Sequence, residues 1–581
     1  MSTLRTAGLI AQSGLTAAQA ALTVTAANVA NADTENYTRK TATRETAAVN
    51  GSQSALSVNV TGLARDVDTF LTRQIVSATS ASSQANVMAE YQAQVQAVHG
   101  GVSSNNDSGT IASAITAAGT ALAGLAAAAG DSTSARTSVD ALADIAQSLQ
   151  DASADLQSIR QSADQQLADT VEAANSAIQT IADLNDSIVT AKTAGRSTAD
   201  LEDQRDEALK SLAGVMDVSY SLDGDGRMQV FTGSGAALVT TRPHLLSFTA
   251  ASSINADTLY GAGDLSGVTL NGRDISDSIS SGSLRALLDV RDGVTVDEQA
   301  RLDTLATSLI DTLNSIANQG TSYPVATALT GTTSLAATDG LTGSGSFTLV
   351  SVGSDDRVTA SLSIDLSTLT SVQDLLDTIN ADGTFTADLT SDGMLRLTAA
   401  DGSGLAIDQG DSAINPDGDG ISAFFGLNDI LIGTGADDIR LKPALADDPD
   451  LMPAGTLAGT IVGSRAVSSG DTSTAAALAD AFTDSRKFPS AGGLSSRSAS
   501  FSAYAGDLAA TAARSASNAA TKAATATATT TDLQSAFASQ SGVNLDEETA
   551  TIQSLETAYQ AAARVMSALQ TMYDELINMV Q

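Results

Sequence analysis

The residues that could do chemistry are few. His99 and His244 are the only imidazoles in 581 residues, and the chain has no cysteine and no tryptophan. A serine nucleophile would need one of those histidines as its base, and neither sits beside a nucleophile motif. Without cysteine there is no disulfide framework, no thiolate zinc site and no thiol nucleophile. Acidic turns offer a second chemistry. Asn415, Asp417, Asp419 and Gly420 have the spacing that opens a calcium loop, but the twelfth position, where such a loop needs a bidentate glutamate, is Gly426. Asp223-Gly224-Asp225-Gly226 is shorter still. Gly433-Thr434-Gly435-Ala436-Asp437-Asp438-Ile439 is one copy of a repeat that binds calcium in stacked arrays. All three are expected to be plain turns. No glycine-rich phosphate loop with its lysine is present. The inventory predicts no catalytic residue, no cofactor and no metal, and therefore not an enzyme.

Charge narrows the partners. The chain carries 66 acidic against 29 basic residues, a formal charge of −37 spread along its length. Such a surface repels a phosphate backbone, so no nucleic-acid partner is expected. No apolar run reaches eighteen residues, so no membrane span is expected. The first residues show no basic segment leading into a leucine-rich core, so a cleaved secretory signal is not expected either.

The elements that position the chain are helices at both ends and strands between. Leu4, Ala7, Ala11, Leu15, Ala18, Leu22, Ala26 and Val29 step by three and four through 1–32, the stripe of a helix with a slim face suited to close packing. Ile552, Leu555, Tyr559, Ala562, Met566, Leu569, Tyr573, Leu576 and Val580 alternate the same steps, a heptad seam on a second helix opening near Asn544 or Asp546. One helix cannot bury such a seam alone, and the N-terminal helix is its expected partner. A third long stripe, from Leu142 to Ile188, predicts a helix over 137–192 stopped at Gly195. Ser197 and Asp200 have capping-box spacing for a further helix to about Ala213, which would complete a hairpin. Residues 54–68 read as strand and turn, 216–280 as short strands, and 283–318 as helix. The Thr-, Ser-, Gly- and Asp-rich stretch 321–475 reads as mostly β with one helix at 371–380, and 476–540 as partly helical.

The expected fold class is therefore a multidomain α+β chain of discontinuous domains. Paired N- and C-terminal helices, 1–50 with 541–581, would form a coiled-coil stem. A mainly helical core, 51–320 with 476–540, would contain the small β region at about 216–280. An inserted, mostly β outer domain would occupy 321–475.

At both ends the residues resemble known proteins. Ser13-Gly14-Leu15, Gln19, Leu22, Asn28-Val29-Ala30-Asn31-Ala32-Asp33-Thr34 and Tyr37-Thr38-Arg39 resemble the N-terminal motif of flagellar rod, hook and hook-associated proteins. Gly62-Leu63-Ala64-Arg65-Asp66-Val67-Asp68-Thr69-Phe70-Leu71 is similar to a segment of the hook-associated protein 1 (FlgK) family. So are Ile181-Ala182-Asp183-Leu184-Asn185, Leu201, and Asp203-Gln204-Arg205-Asp206. Ser541-Gly542-Val543-Asn544-Leu545-Asp546-Glu547-Glu548 with Tyr559-Gln560-Ala561 resembles that family's C-terminal signature. Three positions depart from the pattern: Asn36 stands where glycine is usual, Lys40 where glutamine is, and Ala27 where many members carry asparagine.

The resemblance implies a structural adaptor between flagellar hook and filament, exported through the flagellar type III channel and assembled through its terminal helices. The implied partners are copies of itself, the hook protein, the second hook-associated junction protein, and a cytoplasmic export chaperone at the C-terminal segment. The expected assembly residues are Leu15, Leu22, Asn28, Asn31, Tyr37 and Arg39 at one end, and the seam positions Ile552, Leu555, Tyr559, Met566, Leu569, Tyr573, Leu576 and Val580 at the other. Asn28 and Asn31 could equally be residues that end a helix or make a turn. A hook or distal-rod protein is the alternative within the flagellum, and a secreted adhesin with a coiled-coil stem the alternative outside it.

Overall fold

The computed structural model describes residues 2–34, 37–49, 52–100, 109–128 and 130–579. Its terminal helices are α1 (Ser2–Ala30) and, at the other end, Leu545–Asn578; they pack side by side. A long antiparallel hairpin of β1 (Lys40–Val49) and β2 (Ser52–Arg65) follows α1, so 40–49 is strand rather than stem helix. The polar, threonine-rich sequence of β1 carries no apolar alternation, and that strand is held by its ladder to β2.

The helical core comes next. It comprises α2 (Thr69–Val98), α3 (Ile111–Ala127), α4 (Ser132–Thr193), α5 (Ala199–Val215), α6 (Ser283–Asp289) and α7 (Thr295–Ala317). Helix α4 is 62 residues long, on the order of 90 Å at 1.5 Å per residue. Its stripe from Leu142 to Ile188 is buried throughout, including Leu149, Leu156, Leu167 and Ile181. Asp131 caps it by accepting from the Ser134 N–H at 3.1 Å. The capping box expected from Ser197 and Asp200 does not form. Helix α5 opens after Thr198 with no side-chain cap: the Thr198 hydroxyl donates to Glu202 Oε1 at 2.7 Å, and Asp200 is drawn to Lys40.

A small antiparallel sheet over 218–239 and a second over 246–274 lie between α5 and α6. Residues 328–408 build two three-stranded antiparallel sheets. With them goes the helix α8 (Val372–Asp382), capped by a reciprocal Ser371–Asp374 box and ended at Gly383 in left-handed conformation. Phe347, Leu349, Ile364, Leu375, Ile379, Phe385, Leu397 and Phe425 form their common core. That core closes over 326–427. Ile430, Leu431, Ile439, Leu445 and Met452, still inside the range 321–475, pack into the helical core instead. Two short helices, α9 (Ile421–Phe425) and α10 (Pro443–Asp447), flank this crossing point. The chain returns through α11 (Ser473–Thr483) and α12 (Phe501–Ser541) to the last helix, α13 (Leu545–Asn578).

Helix α12 runs antiparallel to α2. Thr530 Oγ1 donates to Ala78 O at 3.2 Å, and Gln540 Nε2 reaches Asp68 Oδ2 at 3.2 Å. After Phe501, Tyr504 and Leu508 at its start, its buried stripe continues through Ala512, Ala516, Ala519 and Ala523, which lets the two backbones approach closely.

Candidate functional site at the base of the terminal helices

Five segments meet where α1 ends. Asn31 closes the helix, its side-chain amide donating to Ala27 O at 2.9 Å, and Thr34 turns the chain. Asn28, one turn earlier, is buried and faces the incoming chain. Its Nδ2 donates to Lys40 O at 2.8 Å and to Glu548 Oε2 at 3.1 Å. Its Oδ1 accepts from the Lys40 N–H at 3.1 Å and from Tyr37 OH at 3.0 Å. One amide thus pairs β1, the 37–40 turn and the first turn of α13.

Arg39 fastens the same point from the other side. Its Nε donates to Glu548 Oε1 at 2.7 Å and its Nη1 to Glu547 Oε2 at 3.1 Å, while its backbone N–H donates to Ser541 O at 2.9 Å. Asn544 caps α13 by accepting from Asp546 N and Glu547 N. The acidic first turn of α13, Asp546 to Glu548, lies at the positive end of its helix dipole, and two of those carboxylates also hold Arg39.

The joint continues into the helical core. Lys40 and Arg65 stand directly opposite each other across the β1–β2 ladder, an arrangement that two cations alone would destabilise. The first two turns of α5 supply the counter-charge. Arg65 Nη1 donates to Asp203 Oδ1 at 2.7 Å. Its Nε lies 3.0 Å from Glu202 Oε2 and its Nη2 2.9 Å from Asp206 Oδ2. Lys40 Nζ bridges Asp200 and Asp203, and Thr38 Oγ1 donates to Asp203 Oδ1 at 2.6 Å. Burial pulls the Lys40 ammonium down, but the hydrogen bonds it donates to Asp200 and Asp203 outweigh it and leave its pKa raised. Burial works likewise against Arg65, and Asp206, Asp203 and Glu202 overcome it. Asp206 goes the other way: its own burial raises its pKa, against the pull of Arg65. Behind it, Arg205 Nη1 donates to Asn185 Oδ1 at 3.1 Å and Gly226 O at 2.8 Å, tying α4 to α5.

The predicted assembly residues divide between two places. Asn28, Tyr37 and Arg39 meet at the joint with Glu547 and Glu548. Asn31 ends its own helix, the simpler of the two readings open to it. Along the α1–α13 pair, Leu555 and Leu569 are buried, Ile552, Met566 and Tyr573 are half-buried, and Tyr559 and Leu576 are exposed. Leu15 and Leu22 are half-buried. The buried stripe of α1 runs Ala11, Ala18, Ala21, Thr25, Asn28, so Ala26 and Val29 fall on the outside. The stripe turns away from its apolar continuation because Asn28 must reach Lys40 and Glu548. Val580 lies outside the described residues, as does Asn36. Lys40, Arg65, Asp200, Glu202, Asp203 and Asp206 were not expected as site residues. No local signal marks them: Lys40 adjoins Arg39, and the acidic run at 200–206 lies far from both cations in the sequence.

Two of the three acidic turns are occupied by backbone. Asp223 Oδ1 accepts from the N–H groups of Asp225 and Arg227, and Asp438 Oδ1 from those of Thr434 and Gly435. His99 Nε2 lies 2.6 Å from Glu298 Oε1, both buried, and Glu298 is also paired with Arg301. Among the described residues no group of acidic or histidine side chains is placed to hold a metal, and no helix is long and apolar enough to cross a membrane.

Residues 96–328 match the family model of the flagellar hook-associated protein FlgK helical domain. Residues 9–38 match that of the flagella basal body rod protein, and 534–579 that of the C-terminal region of the flagellar basal body rod FlgEFG proteins. The fold is similar to that of the flagellar hook junction protein FlgK from Burkholderia pseudomallei, with a TM-score of 0.50 at 17% identity, over 80% of this chain and 99% of that one. No curated protein sequence matches the chain. The two shorter matches cover the segments that meet through Asn28 and Glu548, and the long one covers the helices that the joint is built on. With that family's helical domain in its middle and flagellar rod-type sequence in both terminal helices, the chain belongs to the FlgK family of flagellar hook-associated proteins, structural components of the bacterial flagellum.

Proposed function

We propose that this chain is the adaptor joining hook to filament, passed unfolded through the flagellar type III channel and assembled through its terminal helices. The observation that carries this reading is the incomplete burial of α13. Leu555 and Leu569 turn to α1, while Tyr559, Val565, Met572, Leu576 and Ile577 remain exposed on the same helix. A pair of helices with that much apolar surface is satisfied by neighbours. Those neighbours are copies of the chain, with the hook protein on one side and the second hook-associated junction protein on the other. Before export, a cytoplasmic chaperone covers the C-terminal segment. In this arrangement the stem lines the inner tube, the helical core surrounds it, and the β core of 326–427 faces outward.

Immunogold labelling of isolated flagella tests the reading. Label confined to the hook–filament boundary supports it, together with filament protein shed into the medium by a deletion strain. Label along the hook or below it would make the chain a hook or distal-rod protein instead.

A further inference from the structure

The inserted β domain carries an exposed cation pair whose nearest carboxylate stays beyond hydrogen-bond distance. Residues 321–475 hold 21 aspartates, no glutamate and five basic residues. Three of the five lie elsewhere on the domain. Arg396 pairs with Asp388, Arg440 donates to Asp438 O, and Lys442 donates to Leu427 O within the seam to the helical core. The other two, Arg357 and Arg465, are both exposed and stand opposite each other in an antiparallel bridge. Like charges in that position oppose pairing. At the joint, Lys40 and Arg65 stand in the same relation, and there the acidic turns of α5 answer both. Here the guanidiniums meet backbone alone at hydrogen-bond distance, Arg357 Nη1 at Gly463 O and Arg465 Nε at Val467 O, and the nearest carboxylates are turned elsewhere. Asp355 Oδ1 faces the backbone N–H of Arg357, and Asp356 Oδ2 accepts from Tyr323 OH and comes only to 3.8 Å of Arg465.

Beside the two arginines is a rigid apolar knob. Ile461 and Val462 are 76% and 62% exposed. They occupy a tight turn in which Ile461 O accepts from Ser464 N at 2.9 Å, with Gly463 at a φ of 86° that suits glycine. Three further bonds fix the turn to the sheet edge: Gly463 N to Val358 O at 2.8 Å, Val358 N to Ser464 O at 3.0 Å, and Arg357 Nη1 to Gly463 O at 2.6 Å. The knob is held in place before anything binds it, so docking it costs little ordering entropy.

We infer that Arg357, Arg465, Ile461 and Val462 form a docking surface for the acidic outer face of a second copy of this chain. Charge complementarity selects that occupant: the same β domain that displays this cationic patch is otherwise a field of aspartate. Patch and acceptor are different surfaces, so the contact is head-to-tail and propagates from copy to copy, as a ring where the rotation closes and as a helix where it does not. The inference rests on the proposed side-by-side assembly, and it adds a contact outside the terminal helices.

Because the chain has no native cysteine, Val462→Cys can be labelled uniquely. Flagella from cells making this variant as their sole copy would be treated with a benzophenone maleimide and irradiated. The expected product is a band at twice the 58.4 kDa of one chain, its attached peptide drawn from an aspartate-rich stretch of the same sequence. In the Arg357→Glu, Arg465→Glu background that band should be lost. A cross-link to a different axial protein, no cross-link, or a band unchanged by the charge reversal would each overturn the inference. Immunogold on the same preparations separates the two claims. Label at the hook–filament boundary without the band rejects the docking surface alone. Label absent from the boundary rejects the proposed function, and the docking surface with it.

Discussion

Asn28 and Glu548 stand 520 positions apart in the chain and meet side chain to side chain, Asn28 Nδ2 donating to Glu548 Oε2 at 3.1 Å. Asn28 also holds Lys40 through both of its backbone groups, and both side chains are buried. Asn28→Ala leaves several buried polar groups unpaired at once, at about 1–3 kcal/mol for each that water cannot reach. The expected outcome is loss of hydrogen-exchange protection at 28–40 and 541–550, with α4 and α7 unchanged. Full protection at both segments in the variant would mean that the amide does not organise the joint.

Arg65 is the cation that makes the acidic turns of α5 tolerable. Arg65→Met removes it from Glu202, Asp203 and Asp206 together, and breaking a buried pair costs about 3–5 kcal/mol. The pH dependence follows from Asp206. Burial already raises its pKa in the folded state, so folding takes up a proton as pH falls, and stability from this group rises on acidification. Without Arg65 that pKa rises further. The variant's Tm deficit against the parent should therefore be large at pH 7.5 and shrink toward pH 5. A deficit independent of pH would contradict this assignment.

Lys442 gives the opposite sign. Burial lowers its pKa to about 8, with Asp429 opposing, while its ammonium donates to Leu427 O at 2.8 Å. A basic group depressed on folding is deprotonated in the folded chain before the unfolded one. Between about pH 8 and the ordinary lysine value near 10.5, stability from this group rises with pH. Denaturation of the parent and of Lys442→Met across that window should show an upward slope in the parent that the variant lacks.

Leu569 and Leu576 separate folding from assembly. Leu569 is buried against α1 and Leu576 is exposed. Leu569→Asp buries a charge within one chain and should part the terminal helices at a cost of several kcal/mol, visible as lost helicity in the monomer. Leu576→Asp should leave monomer helicity intact and abolish filament retention in motile cells. Normal swimming by the Leu576 variant would remove that face from the assembly surface.

The inserted domain can be cut in one place and not another. Replacing 328–425 by a short linker removes the β core and the sheet edge on which 461–467 packs but spares the helical core, and the remaining chain should keep the melting transition of the helical core. Extending the cut to 470 also removes Ile430, Leu431, Ile439, Leu445 and Met452 from that core. The longer deletion should be insoluble or melt far lower, because each large-to-nothing loss opens a cavity.

By itself, the sequence determined whatever repeats with a helical period and whatever its residue types exclude. The α4 stripe, the heptads of α13 and the absence of cysteine are local facts, readable because a buried face of 3.6 periodicity has no other solution. Its end motifs also led to the flagellar family. Tertiary structure decided the rest. Helix α2 carries little apolar periodicity, since it packs against the alanines of α12, and small side chains leave a weak pattern. Strand β1 is polar and exists through its partner. The stripe of α1 bends toward Thr25 and Asn28 because a buried amide with four partners outweighs the burial of Ala26 and Val29. Above all, the joint was illegible: Lys40 and Arg65 acquire their meaning from Asp200, Glu202, Asp203 and Asp206, and no local rule links residues that far apart. Buried charge is tolerated only where counter-charge is delivered to it, and only folding delivers it.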